Sequence, residues 1–429
     1  MRLREGQSLR VAVAARSVYP LHRFGGLERH VYDLVRCLLA RDVKVALLTP
    51  PLSPNRPTDA GADNVFRHPN FTMKPVPYTT FPFANKRGTT IIDRSTAYPI
   101  FGVRAGKLAA RMASAGEIDI VHGLGASVLG YATANLDANA RVPLVFNPQG
   151  LEEFGATDPS RAPLKRLGYW PLRVAVRRAA HAADRVIATD RSLVGPVITH
   201  LGVNKDAVRV IPNAIEPAES DRPDSPSRGQ TLRAELGLQP EDVLLVSVGR
   251  LEANKGFDVL IRALGALVRQ KTLPARWRWV LIGDGPMRDS LQRAVAAEGL
   301  SPFAAIRGRA SMEDLHGWYD AATLFVHPTL YEGSSIVTLE AMAHRRPVVA
   351  SRAGGLPDKV IPGVTGWLVP PGNEEALAAA IVKALSDPSR LLALGAAGRA
   401  LVEKDFSWRA ATDRLLSLYT ELLAQRNSL

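Results

Sequence analysis

Two cations and two carboxylates stand at spacings that suit recognition of a diphosphate and of a polar group such as a ribose diol. Gly249 and Arg250 directly follow the apolar run VLLVSV, and Lys255-Gly256 comes five residues later at the entrance to a helical pattern. Either cation alone would pass for a solvated loop charge. The strand-Gly-Arg-x4-Lys-Gly-helix arrangement as a whole places both beside a helix N-terminus, where an anion gains from side chains and backbone together. A second group follows the run TLFVHP: Tyr331-Glu332-Gly333-Ser334-Ser335 opens the helical stretch IVTLEAMA, and backbone N–H groups of Gly333, Ser334 and Ser335 would form a second cradle. Glu340 lies eight residues after Glu332 inside that otherwise apolar stretch. An unpartnered carboxylate there would cost several kcal/mol, which predicts a polar partner such as a ribose diol.

The elements that must position these residues alternate along the whole chain. Short apolar runs give way to amphipathic stretches and return, the pattern of parallel sheets covered by helices, so the fold class is α/β with two doubly wound, Rossmann-like domains. In the first half, strands are predicted at residues 10–15, 43–49, 119–122, 143–147, 185–189 and 208–211, with a helix after Gly25-Gly26. In the second, they are predicted at residues 244–248, 279–282, 324–326, 347–350 and 367–369. The expected division is a first domain over 1–213, a Pro- and Ser-rich linker over 214–230, a second domain over 231–405, and a C-terminal helix over 406–429 that could pack back on the first domain. Residues 50–98 fit neither pattern and are expected to form a mobile, functional excursion.

Composition narrows the classes. With 429 residues, 46% hydrophobic and 22% charged, the chain is long enough for two cores and has the balance of a globular protein. No apolar run approaches the roughly 18 residues of a membrane span, and the first ten residues hold no apolar export segment. Cys37 is the only cysteine, so no intramolecular disulfide and no cysteine-based metal site can form, and a cytoplasmic setting is expected. The net charge of +13 is lopsided: residues 1–200 carry 27 basic and 15 acidic side chains, and the remainder nearly balances. An Arg-rich surface kept for solubility would produce this, and so would a first domain that meets an anionic acceptor or the inner face of a membrane.

The runs Val248-Gly-Arg-Leu-Glu-Ala-Asn-Lys255-Gly, Ile282-Gly-Asp-Gly-Pro286, His327-Pro-Thr-Leu-Tyr-Glu-Gly-Ser-Ser-Ile-Val-Thr-Leu-Glu-Ala-Met-Ala343 and Pro347-Val-Val-Ala-Ser-Arg-Ala-Gly-Gly-Leu-Pro357 resemble the retaining glycosyltransferases of family 4, which have the GT-B fold. The resemblance is dense in the second domain. In the first it rests on Gly25-Gly26-Leu-Glu-Arg-His30 and Gly150-Leu-Glu-Glu-Phe154. It implies two domains facing across a cleft and a UDP- or GDP-sugar donor held mainly by the second. Arg250 and Lys255 would neutralise the diphosphate, Glu332 would contact the transferred sugar, and Glu340 would bind the ribose. Gly25 and Gly26 would let the first-domain loop approach the phosphates. Two departures stand out. Gln149 occupies the position before Gly150 where such enzymes usually carry a His, and it can hydrogen-bond a sugar hydroxyl but cannot take a proton. Asp358 stands where a Glu is common.

Sugar transfer at such a site needs the departing diphosphate stabilised, and preorganised cations worth ~3–4 kcal/mol each supply that electrostatically. The sequence has no Asp-x-Asp triplet to pin Mg²⁺, so no metal and no cofactor are expected. Retention would proceed on the front face of the sugar, with the departing phosphate helping to accept the acceptor's proton. A lipid-linked or glycan acceptor is expected, with Arg166, Arg173 and Arg177 on one helical side facing it or an anionic membrane. Three other readings are weaker. A nicotinamide-dependent dehydrogenase would use Gly123-Leu-Gly125, but its third glycine, Gly130, is two positions late and no acidic residue closes the following strand. A non-catalytic protein binding nucleic acid or another anionic surface leaves the paired cations and carboxylates unexplained, so no nucleic-acid partner is expected. A nucleotide-sugar epimerase of the same fold would differ in transferring nothing to an acceptor.

Overall fold

The computed structural model describes residues 8–22, 25–52, 64–79, 90–154 and 167–427. The chain divides into two compact units, Met1–Asn213 with Trp408–Leu429, and Ala214–Ser407.

The first unit is built on β1 (Arg10–Ala14), β2 (Lys44–Thr49), β3 (Phe71–Pro75), β4 (Ile120–Leu124), β5 (Leu144–Asn147), β6 (Arg185–Ala188) and β7 (Val208–Val210), all parallel in the order β3-β2-β1-β4-β5-β6-β7. Central strands such as β1 (RVAVA) and β5 (LVFN) are apolar at nearly every position because helices cover both faces. The helix Gly26–Leu39 buries Val31, Leu34, Val35, Leu38 and Leu39. The C-terminal helix Trp408–Asn427 is anchored here: the Tyr419 hydroxyl lies 2.6 Å from Nδ1 of His122, and Arg185 donates to Glu421 at 2.6 Å.

Two expectations are corrected. The described parts of residues 50–98, expected to be a mobile excursion, include regular elements. Phe71–Pro75 pairs with β2 as the edge strand, Thr90–Ser95 and Ala97–Ser114 are helices, and the parts at 53–63 and 80–89 lie outside the described residues. Likewise 214–230 is not a plain linker: Pro217–Ser220 is a 3₁₀ turn and a helix runs over Ser225–Glu235.

The second unit holds β8 (Val243–Val248), β9 (Trp277–Ile282), β10 (Ala304–Arg307), β11 (Leu324–His327), β12 (Val348–Ser351) and β13 (Gly366–Val369), parallel in the order β10-β9-β8-β11-β12-β13. Alternation along β8 splits its side chains, Leu244, Val246 and Val248 into one core and Leu245 into the other. In each sheet, neighbouring strands run outward in opposite sequence directions from one pair, β1 and β4 in the first unit, β8 and β11 in the second. A crevice at the carboxyl ends of such a pair is where α/β sheets bind ligands.

Candidate active site

In the second unit the loops after β8 and β11 flank that point, and backbone bonds clamp them together. Asn254 O accepts from Leu330 N–H (2.8 Å), Tyr331 N–H (3.2 Å) and the Thr329 hydroxyl (2.9 Å). Gly256 stands at φ +64, and a Cβ there would meet Pro328 O at 2.2 Å, so only glycine lets the loops approach this closely.

The clamp brings Lys255 and Glu332 together: Nζ lies 2.7 Å from Oε2, with the two side chains only 13% and 12% exposed. His327, at the end of β11 and fully buried, donates from Nε2 to the same Oε2 at 2.9 Å. Its Nδ1 is buried without a hydrogen-bond partner among the described residues. Burial pushes Glu332 up, but His327 and Lys255 outweigh it and bring the carboxyl down to about 2. Glu332 is therefore an ionised group with one oxygen held by two donors.

The segment behind Glu332 is equally fixed. Gly355 N–H donates to Gly333 O at 3.0 Å, and Gly354, at φ +51, has Glu332 O only 1.6 Å from where a Cβ would stand. Lys359, fully buried, donates to Ser334 Oγ at 3.1 Å. Ser335 is buried and its hydroxyl lies 2.8 Å from that of Thr338. Glu340 accepts from the Tyr319 hydroxyl at 2.6 Å, so the polar partner the sequence demanded is in part this tyrosine. Arg250 is 72% exposed, 3.0 Å from Glu252, and Gly249 N–H donates to Ile282 O. Sequence reasoning missed His327, Tyr319 and Lys359.

In the first unit Gly25 caps the helix Gly26–Leu39. A Cβ on Gly26 would meet nothing within 4 Å and its φ is not left-handed, so packing in its own unit does not require glycine. Gln149 follows β5 at φ +64, an uncommon conformation for a non-glycine residue. Its N–H donates to Asn147 Oδ1 at 3.0 Å, and its buried Nε2 has no hydrogen-bond partner among the described residues. The arginines assigned to an acceptor or membrane surface are partly engaged elsewhere. Guanidinium groups of Arg173 and Arg177 lie 5.1 and 5.4 Å from the Phe154 ring centre, and Arg177 donates to His200 O at 2.7 Å. Arg166 lies outside the described residues. Among the described residues no helix is long and apolar enough to cross a membrane, and no group of three or more His, Cys, Asp or Glu could hold a metal ion.

Known proteins carry the same signatures. Residues 242–387 match the family described as Glycosyl transferases group 1, and residues 24–219 match Glycosyltransferase Family 4. A D-inositol 3-phosphate glycosyltransferase 1 of Catenulispora acidiphila is 32% identical over 313 residues, 71% of this chain and 72% of that one. The chain belongs to glycosyltransferase family 4. A D-inositol 3-phosphate glycosyltransferase of Saccharomonospora viridis is 33% identical over 248 residues, and this chain spans only 56% of its length. The solved structure of Anabaena HepE in complex with UDP superposes with a TM-score of 0.68 at 21% identity, covering 96% of this chain and 100% of that one. This family 4 chain has the two parallel α/β units of the GT-B fold.

Proposed function

We propose that the chain is a retaining hexosyltransferase that moves a sugar from a UDP- or GDP-sugar to a lipid-linked or glycan acceptor without a metal ion. The observation that carries this reading is the pairing of Lys255 and His327 on a single oxygen of Glu332. That arrangement presents the other carboxylate oxygen to sugar hydroxyls and leaves a cation beside the crevice where a diphosphate would lie. Arg250, exposed and paired at the surface with Glu252, adds the second positive charge as the leaving group forms. Glu340 and Tyr319 offer an acceptor and donor pair for a ribose diol. Gly26, where a Cβ would meet nothing within 4 Å, leaves room for phosphate oxygens at the helix start that Gly25 caps, and Gln149 meets the sugar or acceptor as a hydrogen-bond donor, not as a base. HepE, of the same fold, is a protein that binds UDP. The basic excess of the first 200 residues supports an anionic acceptor and a cytoplasmic enzyme working at the inner face of a membrane in cell-envelope glycolipid or polysaccharide synthesis.

Labelled hexose from a panel of UDP- and GDP-sugars, offered with lipid extracts, tests the reaction. Transfer of an α-configured sugar from an α-configured donor supports it, and an inverted product or hydrolysis alone overturns it. Liposome flotation tests the membrane part: the enzyme should float with anionic vesicles and be released by NaCl, and equal behaviour with neutral vesicles would argue for a soluble acceptor.

A further inference from the structure

Lys359 is the one lysine that is fully buried among the described residues. Taking an ammonium out of water is costly even when partners are at hand, so what surrounds it indicates what the charge is for. Lys359 follows the 3₁₀ turn Leu356–Asp358, and the glycine before that turn is fastened to the segment behind Glu332 by the bond from Gly355 N–H to Gly333 O. Its Nζ donates to Ser334 Oγ at 3.1 Å and to Gly355 O at 3.3 Å, and stands over the Phe406 ring, 5.7 Å from its centre, where the π face favours a cation.

The bond to Ser334 has a direction. An ammonium can only donate, so Ser334 Oγ is the acceptor and its single hydrogen is left for a different partner. The Ser334 hydroxyl makes no other hydrogen bond among the described residues. Ser334 is half-buried while Lys359 behind it has no exposure, so the hydroxyl hydrogen is usable only on the side away from the ammonium. A hydroxyl that accepts from a cation becomes a stronger donor, and Ser334 also stands beside the positive end of the helix Ile336–Ala343. Both effects favour an oxyanion over a neutral hydroxyl as the group it meets. From this we infer that Lys359 is a positioning residue, which holds the Ser334 hydroxyl as a polarised donor to a phosphate oxygen of the nucleotide sugar. The inference rests on the glycosyltransferase reading and adds to its donor site a side-chain contact from Ser334 and the buried charge behind it.

Calorimetry on the full chain tests it, with direct titration of UDP and GDP and displacement by uridine and guanosine, read on whichever nucleotide the unmodified protein binds more tightly. Ser334→Ala should weaken that diphosphate by about ten-fold and leave its nucleoside unchanged, while Ser334→Thr, which keeps the hydroxyl, should bind nearly as the wild type does. Lys359→Met keeps the bulk without the donor and should weaken the diphosphate in the same way, with Lys359→Gln, a donor without the charge, between the two. In the Ser334→Ala background Lys359→Met should cost less than about two-fold more, because its effect runs through the hydroxyl. Wild-type affinity in Ser334→Ala, a parallel loss of nucleoside and diphosphate, or fully additive losses in the double variant overturns the inference. So does a Ser334→Ala loss confined to the hexose conjugates, which would move the contact to the sugar. If Lys359→Met does not fold, the two Ser334 variants and Lys359→Gln carry the same decision. Failure of the unmodified protein to bind either nucleotide would instead overturn the donor reading beneath it.

Discussion

Lys255 Nζ and Glu332 Oε2 lie 2.7 Å apart across 77 residues of sequence, and Glu332 shares that oxygen with His327. A partly buried ion pair of this kind is weak evidence of a stabilising role, because desolvation offsets most of the attraction. Its place beside the crevice, with one carboxylate oxygen held by two donors, is better explained by chemistry.

Removing either partner should therefore hurt turnover more than folding. Lys255→Ala and Glu332→Ala should each lower kcat/KM by ~10²-fold or more, with unchanged circular dichroism, and the double variant should lose much less than the product of the two. Near-wild-type turnover in both single variants would remove these residues from the site.

His327 tests the positioning of Glu332. His327→Gln keeps a donor near the carboxylate and should retain most activity, while His327→Ala should lower kcat by ~10-fold and broaden acceptance of sugars that differ at the hydroxyls meeting Glu332. A His327→Ala enzyme with unaltered kcat and unaltered sugar preference would reduce the histidine to a core residue.

The central strands were legible because β1, β5, β8 and β11 are apolar at all but one position each, the mark of strands covered on both faces. Edge strands were not: Phe71–Pro75 is only half-buried, and Ala304–Arg307 is four residues with an exposed end. The helix Ser225–Glu235 is nearly devoid of apolar periodicity because it packs through small residues. A Cβ on Gly229 would lie 3.1 Å from Gly317 O and from Ala321 N, and Arg228 pairs with Asp314 at 2.8 Å. Within the site, Lys255, Glu332 and Glu340 could be read from their spacing after strands. Their mutual contact could not, because it depends on β8 lying beside β11. His327 looked like the polar end of a strand, Tyr319 belongs to a helix earlier in the chain, and the left-handed backbone at Gln149 has no sequence signature.

Stability should fall as the medium turns acidic, for a reason outside the site. Burial lowers His30 to about 4; burial, with His30 nearby, lowers His122 to about 3; and burial, with His344 nearby, lowers His316 to about 4. Below about pH 6.5 the unfolded chain takes up protons that the folded chain refuses until near pH 3–4, so stability is full above pH 6.5 and declines through that window. Thermal melts should show Tm dropping steadily from pH 7 to pH 4.5, with a shallower slope in His122→Gln. A Tm independent of pH over that range would contradict the neutral, buried state of these histidines.

The central claim is that side chains of the second unit, not a metal, hold a nucleoside diphosphate sugar at the Lys255–Glu332 pair. Calorimetric titration of UDP, GDP and their hexose conjugates into the protein in saturating EDTA tests it most directly. The account predicts that one nucleotide binds unaided by metal, that Lys255→Ala weakens it by at least ten-fold, and that Glu332→Ala leaves the bare nucleotide unchanged while erasing the preference among its sugars. Binding that appears only after Mg²⁺ or Mn²⁺ is restored, or equal affinities in the wild type and Lys255→Ala, would contradict it.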